Sequence, residues 1–144
     1  MLTDVFAAGT DTLPRYREAG FPDPHNYGFP TVRARGLEPV ALAILDFLLS
    51  HVSIDEAVDT AVMTPVDQPD LYQAPVITAL SSRTVRMLPA VSAEKLVALA
   101  EDWTQYPELA GLGAEPAREW LTRVQELCRD TVSTGNLIFV WNCL

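Results

Sequence analysis

The sequence predicts an α+β fold: a small, mainly antiparallel sheet of about three strands packed against four or five α-helices. Two observations support this prediction. Three short segments have the apolar pattern of strands, and the longer segments between them carry apolar residues at helical spacing. A length of 144 residues fits one domain, and we assign residues 1–144 to it because no repeat or low-complexity tract divides the chain.

The first thirty residues indicate a strand, a short helix and a loop. Residues 2–6 alternate between apolar and polar, which predicts a strand with one buried face. Thr10 or Asp11 can cap a helix that continues through Glu18. Residues 21–30 contain three prolines, so we expect no regular structure there.

Two helices are predicted next. Residues 38–50 are apolar on nearly every side, which is typical of a helix at the centre of a core. Ser53 and Glu56 have the spacing of a capping box, which predicts a second helix over residues 54–63. Residues 64–75 contain prolines and aspartates and are predicted to be irregular.

The remaining segments alternate between short and long patterns. Residues 76–80 fit either a short helix or a strand, and residues 84–88 alternate as a strand does. Ser92 caps a predicted helix that continues to about residue 106, and a longer helix is predicted over residues 115–133. Residues 137–143 are apolar on both faces, which predicts a strand in the middle of the sheet.

Charge and composition exclude several functions. Nineteen acidic residues against ten basic ones give a net charge of −9, which argues against nucleic-acid binding. A single lysine, Lys95, argues against a basic membrane-binding patch. The start of the chain lacks the pattern of a secretory signal, and we expect Cys128 and Cys143 to be reduced. We therefore expect a cytoplasmic protein.

Residues with recognisable chemistry are few. The sequence contains no nucleophile elbow, phosphate-binding loop or zinc-binding helix, and we expect no catalytic set, metal or cofactor. Asp67, Asp70 and Tyr72 form a possible binding patch on the second proline-rich loop. His25 and Tyr27 occupy the first such loop, where a histidine near a carboxylate could also act as a base.

Other carboxylates have structural explanations. Asp55 and Glu56 are explained by helix capping, and Glu101 and Asp102 are expected to face solvent. Asp46 interrupts the apolar helix, and we expect it at the exposed side or the rim. If Asp46 were buried it would need a partner, for which Arg33 or Arg35 is available.

Several segments resemble a family of small bacterial α+β proteins without an assigned reaction. The similar segments are residues 2–6, 36–40, 85–89, 119–121 and 136–141, together with Trp103. They span most of the chain, and small acidic proteins of this build recur among immunity proteins that neutralise bacterial toxins. The resemblance implies a protein-binding role and transfers no functional residue.

We expect an acidic, protein-binding protein, an immunity-type inhibitor that covers the active site of a basic toxin or effector domain. Its acidic surface would attract the basic partner at a distance. Two alternatives remain open. One is a small hydrolase or metal-dependent enzyme that uses His25 with scattered carboxylates, and the other is a structural or regulatory subunit that self-associates.

Overall fold

A computed structural model of the chain describes residues 2–62 and 75–143. Within these residues it contains four strands, β1 (Leu2–Ala8), β2 (Thr31–Arg35), β3 (Val76–Ala79) and β4 (Leu137–Cys143). It also contains seven α-helices, α1 (Leu13–Glu18), α2 (Pro24–Tyr27), α3 (Pro39–Ser50), α4 (Ile54–Val62), α5 (Ser82–Met87), α6 (Ala93–Trp103) and α7 (Ala114–Thr134). Single turns of 3-10 helix follow α5 and α6.

The four strands form one antiparallel sheet in the order β2-β1-β4-β3. The predicted α+β class is confirmed, but the strands number four rather than three and the described helices number seven. The longest pairing joins β1 to β4, from Leu2 opposite Cys143 to Ala8 opposite Leu137. Strand β4 therefore lies inside the sheet, as its apolar residues on both faces predict.

The two faces of the sheet are covered by different parts of the chain. On one face, Val5 and Val140 belong to a large apolar core that includes buried residues of α3, α6 and α7. On the other face, Phe6 and Phe139 pack with aromatic residues of the segment 9–30, which contains α1 and α2. The sheet thus separates a helical layer from a smaller aromatic layer.

Helix α3 is the centre of the helical layer, as predicted from its apolar sequence. Its residues 41–46 are all buried, and the indole of Trp103 on α6 donates a hydrogen bond of 2.9 Å to the Ala41 carbonyl. Helix α7 packs against this layer along most of its length. Val132, which fits its apolar stripe, is 85% exposed because it lies at the edge of the stripe in the last turn.

The strand predicted over residues 84–88 is wrong. Residues 82–87 form α5, and a 3-10 turn begins at Leu88. Thr84 and Leu88 are both buried, and their spacing of four places them on one side of a helical segment. In a strand Arg86 would share a face with Thr84 and Leu88, but it is exposed, so the burial pattern fits a helix. A short alternation does not distinguish the two structures.

Two other regions also differ from expectation. Residues 21–30 are not wholly irregular, because Pro24 starts the single turn of α2 and Gly28 ends it in the left-handed conformation, at φ 104°. Strand β2 was not predicted. Residues 76–80 fit either a short helix or a strand, and the structure has strand β3 there, with Ile77 opposite Trp141 of β4.

Only one of the two hydrogen bonds of the predicted capping box at α4 is formed. The Ser53 hydroxyl accepts a hydrogen bond of 3.1 Å from the Glu56 backbone N–H, but the Glu56 carboxylate contacts Arg83 of α5 instead of reaching back.

Among the described residues, no helix has the length and apolar character needed to cross a bilayer.

Candidate functional site

The residues predicted to contact a partner are only partly described. Asp67, Asp70 and Tyr72 lie outside the described residues. His25 and Tyr27 belong to α2, where the His25 side chain is exposed and Tyr27 is 39% exposed. Three cavities among residues 2–62 and 75–143 are considered below, and His25 lines none of them.

Helix α2 is held on the sheet by aromatic packing. The Tyr27 ring lies 5.0 Å from Tyr16 and 5.1 Å from Phe29, measured between centroids, and the Tyr16 hydroxyl donates to the Pro22 carbonyl. Burial raises the pKa of Tyr16, and the nearby carboxylate of Asp23 raises it further. Tyr16 is therefore a neutral structural residue, and α2 is a fixed part of the surface.

An ion-pair cluster ties α2 to the sheet. Asp4 of β1 is fully buried, and Arg33 of β2 binds it through two hydrogen bonds, from Nε to Oδ1 at 2.9 Å and from Nη2 to Oδ2 at 2.8 Å. The same Nη2 also binds Asp23, the N-cap of α2. Burial opposes ionisation of Asp23, but hydrogen bonds from the Asn26 backbone N–H and from Arg33 lower its pKa overall.

A second buried carboxylate corrects an expectation. Asp46 is 1% exposed, not at the rim, and its partner is Arg83 of α5 rather than Arg33 or Arg35. Arg83 Nη2 lies 2.7 Å from Asp46 Oδ2, and this hydrogen bond raises the pKa of Arg83. Arg83 also contacts Glu56 and Thr60, so one guanidinium joins α3, α4 and α5. These contacts make the cluster structural.

A small cavity, lined mainly by apolar residues, lies beside Asp46. Its volume is about 20 Å³, and its lining includes Ser81 and Asn142. The Ser81 hydroxyl and the Asn142 side-chain N–H groups are buried without a hydrogen-bond partner among the described residues. A cavity of this size accommodates a water molecule but no organic substrate. It therefore offers no active site.

The exposed side of α6 is acidic. Glu94, Glu101 and Asp102 are exposed there, and none forms an ion pair with a described residue. Val97, which is 43% exposed, lies between them. Glu94 and Glu101 are two helical turns apart, about 10 Å along the axis. We refer to these four residues as the α6 acidic face.

The position of two of these acids is unfavourable for the helix. Glu101 and Asp102 occupy the last turn of α6, which contains no basic residue. Carboxylates at a helix C-terminus are repelled by its partial negative charge, whereas Glu94 in the first turn is favourably placed. The prediction that Glu101 and Asp102 face solvent is confirmed. Their destabilising effect on the helix could not be predicted from the sequence, because it depends on where α6 ends.

Two openings larger than the cavity beside Asp46 lie along β2. One cavity of about 220 Å³ lies between β2 and α7 and is lined by Arg33, Arg35, Leu112, Pro116, Trp120 and Arg123, among others. A neighbouring cavity of about 260 Å³ shares Arg35 and Leu112 with it. We refer to the two together as the β2–α7 groove. Sequence reasoning missed this site because 88 positions separate Arg35 from Arg123.

Two observations within residues 2–62 and 75–143 bear on metal binding and on the thiol of Cys128. No group of three or more His, Cys, Asp or Glu side chains there is arranged to hold a metal ion. Cys128 is buried in the helical layer, and desolvation raises the pKa of its thiol to about 11. This residue is therefore an inert part of the core.

Comparisons with known proteins give no relative of this chain. No protein-family model, no curated protein and no solved structure matches it. The resemblance to small bacterial proteins described above therefore stays a prediction, and function must be argued from the site itself.

Proposed function

We propose that this chain is a protein-binding protein whose α6 acidic face docks a basic partner, and that it inhibits that partner by covering its active site. The observation that supports the proposal most is the pair Glu101 and Asp102. Two exposed carboxylates without an ion pair among the described residues stand where they oppose the dipole of their own helix. A cationic partner would compensate this repulsion.

Charge and shape both favour a docking role for this face. The net charge of −9 attracts a basic protein over distances comparable to the screening length and accelerates its association. Within the face, the exposed Val97 adds an apolar contact between Glu94 and Glu101. A charged surface with an apolar centre resembles the arrangement of many protein interfaces.

The two described candidate surfaces lie on opposite sides of the sheet. Helix α6 belongs to the helical layer, whereas His25 and Tyr27 belong to the aromatic layer. One small basic domain would not cover both. We place the main contact at α6 and keep His25 and Tyr27 as a separate prediction, to be tested in the same experiment.

Localisation belongs to the same proposal. We infer a cytoplasmic protein, because Cys128 is a buried thiol without a disulfide. The absence of a membrane-spanning helix among the described residues is compatible with this location. A cytoplasmic inhibitor would meet a basic toxin or effector domain in the compartment where such a domain acts.

The first test is affinity capture from the native host with tagged wild-type protein, followed by mass spectrometry. Three variants are compared with it: Glu101→Gln/Asp102→Asn, the matched control Glu126→Gln/Asp130→Asn on α7, and His25→Ala/Tyr27→Ala. Glu126 and Asp130 are exposed and form no ion pair with a described residue, so the control removes the same charge elsewhere. We expect a basic protein to be lost with the α6 variant and retained with the α7 control, and loss with His25→Ala/Tyr27→Ala would show a contact at α2.

The second test measures association of the purified partner as a function of salt. Electrostatic attraction predicts that the association rate falls by about tenfold between low and physiological ionic strength. A rate indifferent to salt would contradict the proposal. Equal loss of the partner from the α6 variant and the α7 control would also contradict it, since net charge alone would then explain capture.

A further inference from the structure

The β2–α7 groove is a cationic site in an acidic protein. Arg35 comes from strand β2 and Arg123 from the middle of α7, and both line the cavity of about 220 Å³. Leu112 and Pro116 contribute apolar surface beside them. Elements distant in sequence thus bring two arginines and an apolar wall to the lining of one opening.

Neither Arg35 nor Arg123 forms a hydrogen bond or ion pair with another residue in the described part of the chain. Acidic residues outnumber basic ones by nineteen to ten, so internal partners are abundant. The third arginine of the groove, Arg33, is by contrast bound to Asp4 and Asp23. The groove therefore keeps two guanidinium groups available to a ligand.

Protection of the sheet edge explains only part of this arrangement. Strand β2 is the outer strand, and charged side chains on an outer strand discourage pairing with other chains. That role accounts for Arg35 but not for Arg123, which lies on a helix. A site for an anion accounts for both.

A third observation comes from Trp120, which also lines the groove. Its side chain packs 5.7 Å from Trp103, between ring centroids, and its indole N–H is buried without an acceptor among the described residues. The other two indoles have acceptors, because Trp103 donates to Ala41 and Trp141 donates to Phe21. A buried N–H without an acceptor costs free energy, and a ligand oxygen that reached it after a small movement of the groove wall would remove that cost.

We propose that the β2–α7 groove binds a small organic anion, a carboxylate or a phosphate monoester attached to an apolar body. The guanidinium groups of Arg35 and Arg123 bind the anionic group, and Leu112, Pro116 and Trp120 contact the apolar part. The site is separate from the α6 acidic face.

The test uses three probes that share a phenyl group: 3-phenylpropionate, phenyl phosphate and the neutral 3-phenylpropionamide. Binding is followed by the indole N–H resonances of the ¹⁵N-labelled protein and by calorimetry. We expect both anions to bind and to shift the Trp120 resonance, while Trp103 and Trp141 serve as internal references. The neutral amide should bind about tenfold more weakly, because it lacks the charge-assisted hydrogen bonds.

Variants then locate the site. Arg123→Gln and Arg35→Gln should each weaken binding of the anions by about tenfold. Arg86→Gln on α5 is the matched control, since it removes the same charge from an exposed position outside the groove lining, and it should leave binding unchanged. The relative affinities of the carboxylate and the phosphate identify which anionic group the site prefers.

Several results would overturn the proposal. These are no shift of the Trp120 resonance at millimolar probe, equal affinity for the amide and the anions, or equal weakening by Arg86→Gln and Arg123→Gln. Unfolding midpoints of all variants are measured first, and the two groove variants are independent, so failure of one to fold leaves the other. Capture of a basic partner through α6 should be unaffected by either variant, which separates this test from the preceding one.

Discussion

Arg33 is the one described cation that binds Asp4, a carboxylate with no exposed side-chain surface, and it does so across the β1–β2 pairing. The same guanidinium continues to Asp23 at the start of α2. A single side chain thus compensates a buried charge in the sheet and fixes the segment that covers one face of it. Removing the guanidinium would leave Asp4 buried without a compensating charge.

We therefore expect Arg33→Met to lower the free energy of unfolding by about 3 kcal/mol. The matched control is Arg35→Met, on the same strand but without a hydrogen bond or ion pair to a described residue, and it should change stability little. Urea denaturation followed by far-UV circular dichroism measures both. Equal effects of the two substitutions would show that the ion pair is not the cause.

Stability should depend on acid pH through Asp23. Hydrogen bonds outweigh burial and lower the pKa of Asp23 in the folded protein below its ordinary value of 3.8. The carboxylate therefore contributes stability that is fully present above the unfolded-state pKa and is lost as pH falls through the lower, folded-state pKa. The stability difference between wild type and Asp23→Asn should stay constant near neutral pH and shrink below pH 3.8.

The measurement for Asp23 is urea unfolding at a series of pH values. Asp59→Asn is a suitable control, because Asp59 is exposed on α4 and forms no ion pair with a described residue. Its stability difference from wild type should remain small throughout. A difference for Asp23→Asn that grows toward low pH would contradict the predicted sign.

The two ends of α6 should respond in opposite directions to loss of charge. Glu101→Gln and Asp102→Asn should each stabilise the protein by about 0.5 kcal/mol, because they remove repulsion at the helix C-terminus. Glu94→Gln should destabilise it by a similar amount, because Glu94 lies in the favourable first turn. Thermal unfolding at low salt measures the three variants. If all three substitutions changed the stability in the same direction, net charge and not the helix dipole would be the cause.

Cys128 should resist alkylation in the folded protein. Burial raises the pKa of its thiol to about 11, so the reactive thiolate is scarce at pH 8 and the sulfur is also shielded. In the variant Cys143→Ser, iodoacetamide should add nothing to the native protein and one group after denaturation, as measured by intact mass. Rapid modification of the native variant would show that the core around Cys128 opens readily.

The elements that were predicted well are those whose evidence is local. Helix α7 has a long apolar stripe, and β4 has apolar residues on both faces. The strand predicted over residues 84–88 is wrong, because the sequence there fits the helical and the strand period equally. Strand β2 was not predicted because Arg33 and Arg35 stand where a half-buried strand would have apolar residues. Only the pairing of β2 with β1, which places Asp4 opposite Arg33, explains an arginine at that position.

The candidate sites depended even more on distant residues. Asp46 was expected at the exposed side or the rim, with Arg33 or Arg35 as its partner if it were buried, whereas Arg83, 37 positions away, compensates its charge in the fold. The exposure of Glu101 and Asp102 was predicted. Their repulsion by the dipole of α6 was not, because it can be predicted only when the end of the helix is known. The β2–α7 groove exists only after β2 and α7 have packed together.

The placement of β4 between β1 and β3 sets the order in which the molecule can assemble. Until residues 137–143 are available, β1 has β2 as its only partner and β3 has none in the described sheet. A chain emerging from the ribosome must therefore hold Ile77, which is fully buried in the finished fold, without its partner Trp141 while α5, α6 and α7 are made. Such long-range closure predicts slow folding and a need for protection during synthesis.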